Sequence, residues 1–176
     1  NLAFRGGTAL HKLYLNPQPR YSEDIDLVQI NPGPIKEIIQ RIQKNLSFID
    51  KKSVVDPRKH NNTMRFRFGS EIPPLVPLKI KIEINCREHF NILGLQKVPF
   101  NINSPWFAGY CNITTYKAEE LLGTKLRALY QRSKGRDLFD LGKALLLLPN
   151  LDTQALLECY RGYMTFVVDK LPTPKQ

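Results

Sequence analysis

The most informative segment of the sequence is Ser22-Glu23-Asp24-Ile25-Asp26-Leu27. Acidic and apolar residues alternate within it, which is typical of a strand with one buried face. Asp24 and Asp26 then project from the same side of the strand, roughly 6.6–6.8 Å apart along the chain. Two carboxylates in this arrangement suit the metal ions that assist phosphoryl or nucleotidyl transfer. An isolated pair is more often a plain polar strand face, so the interpretation depends on the surrounding motifs.

A glycine turn precedes the acidic strand. Residues 2–4 form a short strand-like run, Gly6-Gly7 ends it, and Thr8 is placed to cap a helix over residues 9–15. Glycine lets backbone approach a ligand closely, and the free amides at a helix N-terminus favour phosphate. Lys12 follows one turn later and would add positive charge. A tight turn with a threonine cap is the alternative interpretation.

Three patterned segments follow the acidic strand. Isoleucines recur at helical spacing over residues 35–49, and alternation predicts strands at 63–68 and 78–85. If the last strand pairs beside the acidic strand, Glu83 supplies a third oxygen ligand of the kind that magnesium prefers. The alternative is an ion pair between Glu83 and Lys79, Lys81 or Arg67. Residues 91–110 are weakly patterned, so we expect irregular structure there.

The pattern becomes helical from residue 114 onward. Apolar stripes predict three helices, over residues 116–132, 137–148 and 153–170. Lys125 falls inside the first stripe, where a lysine either snorkels to the surface or points its amine into a polar pocket. Asp137 and Asp140 stand at the start of the second helix, where they suit capping and could also orient Lys125. The basic residues just before them, including Arg136, suit triphosphate or an RNA backbone.

Composition narrows the class of protein. The chain has 176 residues, 42% of them hydrophobic, and a net charge of +10, which fits a globular protein with a polyanionic partner. Its three cysteines are widely spaced, odd in number and without a C-x-x-C pair, which argues against a disulfide framework or a zinc site, so we expect a cytoplasmic protein. We expect neither a membrane span nor a secretory signal. Because the sequence starts directly on a strand-like run, we also expect a further segment before Asn1.

Five motifs occur in a defined order along residues 3–148. They are Phe4-Arg5-Gly6-Gly7-Thr8-x-Leu10-x-Lys12, Arg20-x-Ser22-x-Asp24-x-Asp26-Leu27, Lys81-Ile82-Glu83, Lys125-x-x-Ala128-Leu129-x-x-Arg132 and Arg136-Asp137-x-x-Asp140. In this combination the chain resembles the AbiEii/AbiGii toxin family, a branch of the polymerase-β-like nucleotidyltransferase superfamily. The resemblance implies an α+β fold, with a mixed nucleotidyltransferase-type sheet flanked by helices and a C-terminal helical bundle. We expect the catalytic core at residues 1–112 and the helical region at 113–176.

The resemblance also implies roles for individual residues. Asp24 and Asp26 would hold Mg²⁺ or Mn²⁺, with Glu83 as a less dependable third ligand. Lys125 would contact the triphosphate, and Asp137 would be a catalytic or supporting acid. Further residues would bind nucleotide or phosphate: Gly6, Gly7, Thr8, Lys12, Ser22 and Arg136. Thr8 replaces the serine of the broader superfamily pattern, so Ser22 is a candidate for the missing hydroxyl.

The function implied by this resemblance is metal-dependent transfer of a nucleoside monophosphate from an NTP to RNA, such as tRNA, or to a protein. The protein would then be the toxin of a toxin–antitoxin or abortive-infection system, with a cognate antitoxin as a partner. The rival interpretation is a non-catalytic module that keeps the fold and binds nucleic acid or protein. Its binding surface would be the basic strand faces, formed by Arg58, Lys59, Arg65, Arg67, Lys79 and Lys81.

Overall fold

The computed structural model describes residues 1–22, 24–50, 52–58, 60–105 and 107–166. These residues form seven strands and five helices, in the order β1 (Leu2–Arg5), α1 (Gly6–Leu13), β2 (Asp24–Gln29), α2 (Lys36–Asn45), β3 (Val54–Pro57), β4 (Asn61–Gly69), β5 (Pro77–Asn85), β6 (Leu95–Asn103), β7 (Ala108–Tyr116), α3 (Ala118–Arg132), α4 (Gly135–Leu147) and α5 (Thr153–Thr165). The predicted fold class, a mixed sheet with helices followed by a helical C-terminal segment, is confirmed.

The chain divides into two compact units. The first consists of Asn1–Thr8 and Ser22–Phe90, and the second consists of Ala9–Tyr21 and Asn91–Gln176. The expected division of functions at residue 112 stays a prediction, because compactness does not show which residues act on a substrate. Within the described residues, no helix has both the length and the apolar composition needed to cross a bilayer.

The first unit contains a mixed sheet with the strand order β3-β4-β5-β2-β1. β2 and β5 run parallel to each other, whereas the β1–β2, β3–β4 and β4–β5 pairs are antiparallel. A parallel pair needs a long connection between its strands. Here α2, β3 and β4 supply that connection, so β2 and β5 become neighbours although they are distant in sequence.

One face of this sheet is covered by α2. The apolar stripe of the helix and its flanks packs on the buried side chains of β4 and β5, which are Met64, Phe66, Ile82 and Ile84. Ile25 and Leu27 of β2 pack against the same cluster. Because successive side chains of a strand point to opposite faces, burial of these isoleucines and leucine directs the intervening acids to the other face.

The second unit contains the β6–β7 hairpin. The two strands pair antiparallel from Leu95 opposite Tyr116 to Asn103 opposite Ala108. The expectation of irregular structure over residues 91–110 is therefore wrong. Pro99 interrupts the pattern of β6, and a proline normally argues against a strand. It is tolerated here because β6 is an edge strand, where proline is acceptable.

Three helices complete the second unit, with α3 packed against α4 and α5. Gly123 permits the close approach of α3 to α5, since a β-carbon there would lie 2.7 Å from Cys159 Cβ. α5 begins at the predicted position, where the Asp152 carboxylate accepts hydrogen bonds from the amides of Gln154 and Ala155. The described part of α5 ends at Thr165, and the last residues of the predicted helix lie outside the described residues.

Candidate active site

Asp24 and Asp26 on β2 lie beside Lys81 and Glu83 on β5. The parallel register places Asp24 opposite Lys81 and Asp26 opposite Glu83. Side chains opposite each other in a sheet share a face, so all four project away from α2. We call these four residues the acid face. The strand pairing required by the Glu83 prediction is therefore present, and its role as a metal ligand stays a prediction.

Lys81 is the lysine of the acid face. Its Nζ lies 3.2 Å from Asp24 Oδ2 and 3.0 Å from Glu83 Oε1. The alternative expectation for Glu83, an ion pair with a neighbouring lysine, is thus also met. Burial alone would lower the pKa of Lys81, but its hydrogen bonds to Glu83 and Asp24 outweigh burial and raise that pKa. Only two of the three carboxylates contact this one ammonium, so the acid face carries more negative than positive charge.

Asp26 is held under the first turn of α1. A β-carbon on Gly6 would lie 2.1 Å from Asp26 Oδ2, and Gly6 has a φ of 78°. Glycine alone combines this left-handed backbone with so close an approach. Burial raises the pKa of Asp26 and the carboxylate of Glu83 raises it further, whereas the Arg5 guanidinium opposes them only in part. Asp26 therefore carries an ionisation penalty that a bound cation would relieve.

Thr8 and Ser22 form a pair of hydroxyls next to the acid face. Their oxygens are 2.6 Å apart, and Thr8 Oγ1 also donates to the backbone carbonyl of Asp24. The prediction that Thr8 caps the helix is wrong, because α1 already begins at Gly6. The left-handed backbone of Gly6 lets the helix start directly after β1, so Gly7 and Thr8 belong to its first turn.

Lys125 and Asp137 meet in the second unit. Lys125 is 7% exposed, and Asp137 and Asp140 are 0% exposed. Lys125 Nζ lies 3.0 Å from Asp137 Oδ1 and 2.7 Å from Asp140 Oδ2. This geometry decides between the two interpretations of Lys125, because the amine points into a polar pocket and does not snorkel to the surface.

Three more side chains complete this group. Arg132 donates to both carboxylate oxygens of Asp137, at 2.8 and 2.9 Å. Arg20 donates to both oxygens of Asp140 at 2.8 Å, and His11 Nε2 lies 2.8 Å from Asp140 Oδ1. We call the group the charge cluster, which consists of His11, Arg20, Lys125, Arg132, Asp137 and Asp140. The sequence motifs contain five of these residues, but only the fold shows that Arg20 and His11 reach an acid more than 100 residues away.

The charge cluster sets the ionisation of its members. Burial alone would raise the pKa of Asp140, but hydrogen bonds from Arg20 and Lys125 hold it far below its ordinary value. Arg132 and Lys125 lower the pKa of Asp137 in the same way against the effect of burial. Burial lowers the pKa of His11, although Asp140 partly opposes the change. His11 Nε2 donates to the Asp140 carboxylate, and the buried Nδ1 of His11 has no hydrogen-bond partner among the described residues.

Lys12 and Arg136, two predicted phosphate contacts, are exposed. Lys12 lines a pocket of about 390 Å³ in the second unit, together with Tyr14, Gln18, Phe100 and other residues of α1, its following loop and β6. Arg136 lies on the first turn of α4, directly before the buried Asp137. Both lysine and arginine are thus free to contact an anion that approaches from solvent.

The acid face has the donor chemistry for a hard divalent cation. Carboxylate oxygens are the ligands that Mg²⁺ and Mn²⁺ prefer, and here they exceed the neighbouring positive charge. In the described part of the chain, no three acidic, imidazole or thiol side chains are close enough together to hold a metal as they stand. The Lys81 amine lies between two of the three acids. The three carboxylates are therefore of the type that binds a metal ion. In this structure, two of them pair with the Lys81 amine instead.

Comparison with solved structures identifies similar folds. MenT4, a nucleotidyltransferase toxin from Mycobacterium tuberculosis H37Rv, has a TM-score of 0.67 and 19% identity, covering 98% of this chain and 60% of its own. JHP933 from Helicobacter pylori has a TM-score of 0.59 and 18% identity, covering 93% and 66%. An antigenic nucleotidyltransferase-like protein from Paracoccidioides brasiliensis has a TM-score of 0.52 and 18% identity, covering 96% and 81%. The chain thus spans about two thirds or less of the first two proteins.

Sequence comparison identifies the family. No curated protein sequence matches the chain at a significant level. The family model described as "Nucleotidyl transferase AbiEii toxin, Type IV TA system" matches residues 1–175, which is nearly the whole chain. Together with the glycine turn, the acid face and the charge cluster, this match leads to one conclusion: the chain belongs to the AbiEii nucleotidyl transferase toxin family.

Proposed function

We propose that the protein is a metal-dependent nucleotidyltransferase, which transfers a nucleoside monophosphate from an NTP to an acceptor hydroxyl and releases pyrophosphate. The observation that carries the proposal is the acid face, where Asp24, Asp26 and Glu83 share one side of two parallel strands and Asp26 lies against Gly6 at the start of α1. Membership of the AbiEii family supports it.

Asp24, Asp26 and Glu83 are the proposed ligands of Mg²⁺ or Mn²⁺. A divalent ion bound there neutralises phosphate charge and lowers the pKa of the acceptor hydroxyl. Asp26 is the ligand most favoured to pair with a cation, because burial and Glu83 both penalise its ionisation in the absence of one. Holding the acids on two strands of one sheet fixes their spacing before the substrate arrives.

The first turn of α1 is the proposed phosphate site of the first unit. The amides of Gly6, Gly7 and Thr8 begin the helix, where backbone N–H groups lack intrahelical partners and the helix dipole favours anions. Ser22 adds a hydroxyl that is already held beside Thr8. These four residues would bind the triphosphate while the acids hold the metal.

Lys125 is the proposed triphosphate contact of the second unit, with Lys12 and Arg136 as further cations that offset charge on the pyrophosphate. Asp137 acts as a supporting acid in this proposal. A general base needs a pKa near the working pH, whereas Arg132 and Lys125 hold the pKa of Asp137 below its ordinary value. Its contribution is to keep the Lys125 amine in place.

RNA, with tRNA as the first candidate, is the proposed acceptor, and a protein hydroxyl is the alternative. The net charge of +10 favours a polyanionic acceptor. In this proposal the protein acts in the cytoplasm as the toxin of a toxin–antitoxin or abortive-infection system, and an antitoxin restrains it.

Transfer of label from NTP tests the proposal. The protein is incubated with total RNA, cell extract, Mg²⁺ and each NTP labelled at either the α- or the γ-phosphate. Nucleotidyl transfer moves the α-label and releases the γ-label as pyrophosphate, and digestion with nuclease or protease then identifies the acceptor. Absence of α-label transfer from all four NTPs would contradict the proposal.

A non-catalytic binding module is the second candidate. The observation in its favour is that Lys81 already pairs with two of the three acids. Such a module would keep its cellular effect when Asp24 and Asp26 are replaced by asparagine. The enzyme that we propose would lose it.

A further inference from the structure

We propose that Lys81 is a built-in counter-ion that competes with the divalent metal for the acid face. This inference rests on the proposed function, since it assumes that Asp24, Asp26 and Glu83 hold the metal. The Lys81 ammonium contacts the oxygens of two of those three residues, at 3.2 Å from Asp24 Oδ2 and 3.0 Å from Glu83 Oε1.

The competition follows from charge. In the absence of metal, three carboxylates on one sheet face repel one another, and the lysine between Asp24 and Glu83 relieves part of that repulsion. A divalent ion at the same carboxylates would repel the ammonium, because both are cations within a few ångströms. Lys81 therefore stabilises the metal-free acid face and weakens metal binding to the free protein.

The surroundings of Lys81 allow its amine to leave the carboxylates when a metal ion binds. Its side chain is 32% exposed, and those of Asp24 and Glu83 are 37% and 41% exposed. The four-carbon stem of lysine is flexible and its amine is well hydrated in solvent. Lys125 provides the contrast, because its side chain is only 8% exposed and is held by two buried acids. Lys81 is thus a cation that can be exchanged, whereas Lys125 is fixed in place.

Titration with MnCl₂ alone, followed by the loss of the free-ion EPR signal, tests the inference. We expect Lys81→Met to bind Mn²⁺ about tenfold more tightly than the wild type, which corresponds to the loss of one adjacent positive charge. Lys81→Gln, which keeps hydrogen-bond donors without the charge, should do the same. Lys81→Arg keeps the charge, so its Mn²⁺ affinity should stay within about twofold of the wild type.

Lys79→Met is the matched control. Lys79 lies two residues before Lys81 on the same strand and face, and its replacement by methionine removes the same charge. Its Mn²⁺ affinity should also stay within about twofold of the wild type. Thermal unfolding gives a second readout: Lys81→Met should unfold at a lower temperature without metal and gain more from Mn²⁺ than the wild type does.

The outcomes separate this inference from the proposed function. If the wild type binds Mn²⁺ through Asp26, so that Asp26→Asn loses the binding, and neither Lys81→Met nor Lys81→Gln binds more tightly, the counter-ion role is wrong and the metal site stands. If neither the wild type nor any Lys81 variant binds Mn²⁺ at millimolar concentrations, the metal site fails and the inference fails with it.

Discussion

The acid face and the charge cluster are both built from carboxylates and cations, yet they differ in balance and in burial. The acid face has one lysine for three carboxylates, and that lysine contacts two of them. The side chains of Lys81, Asp24 and Glu83 are each about one third exposed or more. In the charge cluster, two fully buried aspartates are matched by Lys125, Arg20 and Arg132, with His11 as a further partner.

This difference indicates which group is prepared for a metal ion. A buried cluster whose carboxylates and cations are hydrogen-bonded to one another holds its side chains in place and is costly to disturb. The carboxylates of the acid face repel one another until a cation binds. Without that cation, their repulsion lowers the stability of the folded protein. We therefore expect substitutions in the two groups to change activity and stability in different proportions.

Asp26→Asn should separate activity from stability most clearly. We expect α-label transfer to fall about 10³-fold or more, because a metal ligand is lost. The free energy of unfolding without metal should rise by about 1 kcal/mol, because a penalised charge is removed. Label transfer and urea unfolding measure the two effects.

Asp56→Asn, at an acid of β3 that is more than one third exposed, is the control and should change neither activity nor stability. A variant of Asp26 that loses stability and activity together would remove the distinction between the two groups.

Asp140→Asn should have the largest effect on stability. It breaks a buried network and leaves Arg20 and Lys125 short of a partner, so the free energy of unfolding should fall by about 3–5 kcal/mol. Urea unfolding measures the loss. Glu158→Gln, at an exposed acid of the same unit, should cost less than about 0.5 kcal/mol. Equal costs for the two variants would show that the charge cluster is not a structural network.

Gly6→Ala should damage the acid face through the backbone. Alanine at a φ of 78° costs about 1–2 kcal/mol, and its β-carbon would displace the Asp26 carboxylate. Both the free energy of unfolding and the rate of label transfer should therefore fall. Gly142→Ala is the matched control, because a β-carbon there meets nothing within 4 Å. It lies inside α4, so alanine should stabilise the protein by up to about 1 kcal/mol. If Gly6→Ala behaves like Gly142→Ala, position 6 does not require glycine.

The two groups should also respond to pH with opposite signs. Asp137 and Asp140 have lowered pKa values, so their contribution is fully present above about pH 4 and is lost as pH falls through their native-state pKa values. Asp26 has a raised pKa, so its ionisation reduces stability as pH rises above about 4. Urea unfolding from pH 2 to pH 7 should show the stability advantage of Asp26→Asn growing with pH. In Asp140→Asn, the free energy of unfolding should fall less between pH 4 and pH 2 than it does in the wild type. The opposite trends for these two variants would contradict the assigned pKa shifts.

Local patterns predict the elements of the acid face well. The alternation around Asp24 and Asp26 predicts a strand. Because Ile25 and Leu27 require burial, it also predicts that the two acids share the opposite face. The parallel pairing that brings Glu83 alongside is non-local and does not follow from spacing. The sequence predicts the pairing of Lys81 with Glu83 only as one alternative, since that pairing depends on the register of two distant strands.

Tertiary context decides the features that the patterns miss. Pro99 interrupts the alternation expected of a strand in β6. The fold tolerates this proline because β6 is an edge strand. Thr8 has the composition of a helix cap, but the left-handed backbone of Gly6 starts the helix earlier and directs Thr8 to Ser22 and Asp24. His11 and Arg20 reach Asp140 across 129 and 120 residues, a distance over which periodicity carries no information.

The most direct test of the central claim is the Mg²⁺ dependence of α-label transfer by the wild type and by Asp24→Asn. If the acid face is a metal site for nucleotidyl transfer, label transfer by the wild type is abolished by EDTA and restored by Mg²⁺ in a saturable manner. Asp24→Asn should then stay inactive at every Mg²⁺ concentration, although it folds normally. Transfer that continues in EDTA, or that Asp24→Asn supports at the wild-type rate, would contradict the claim.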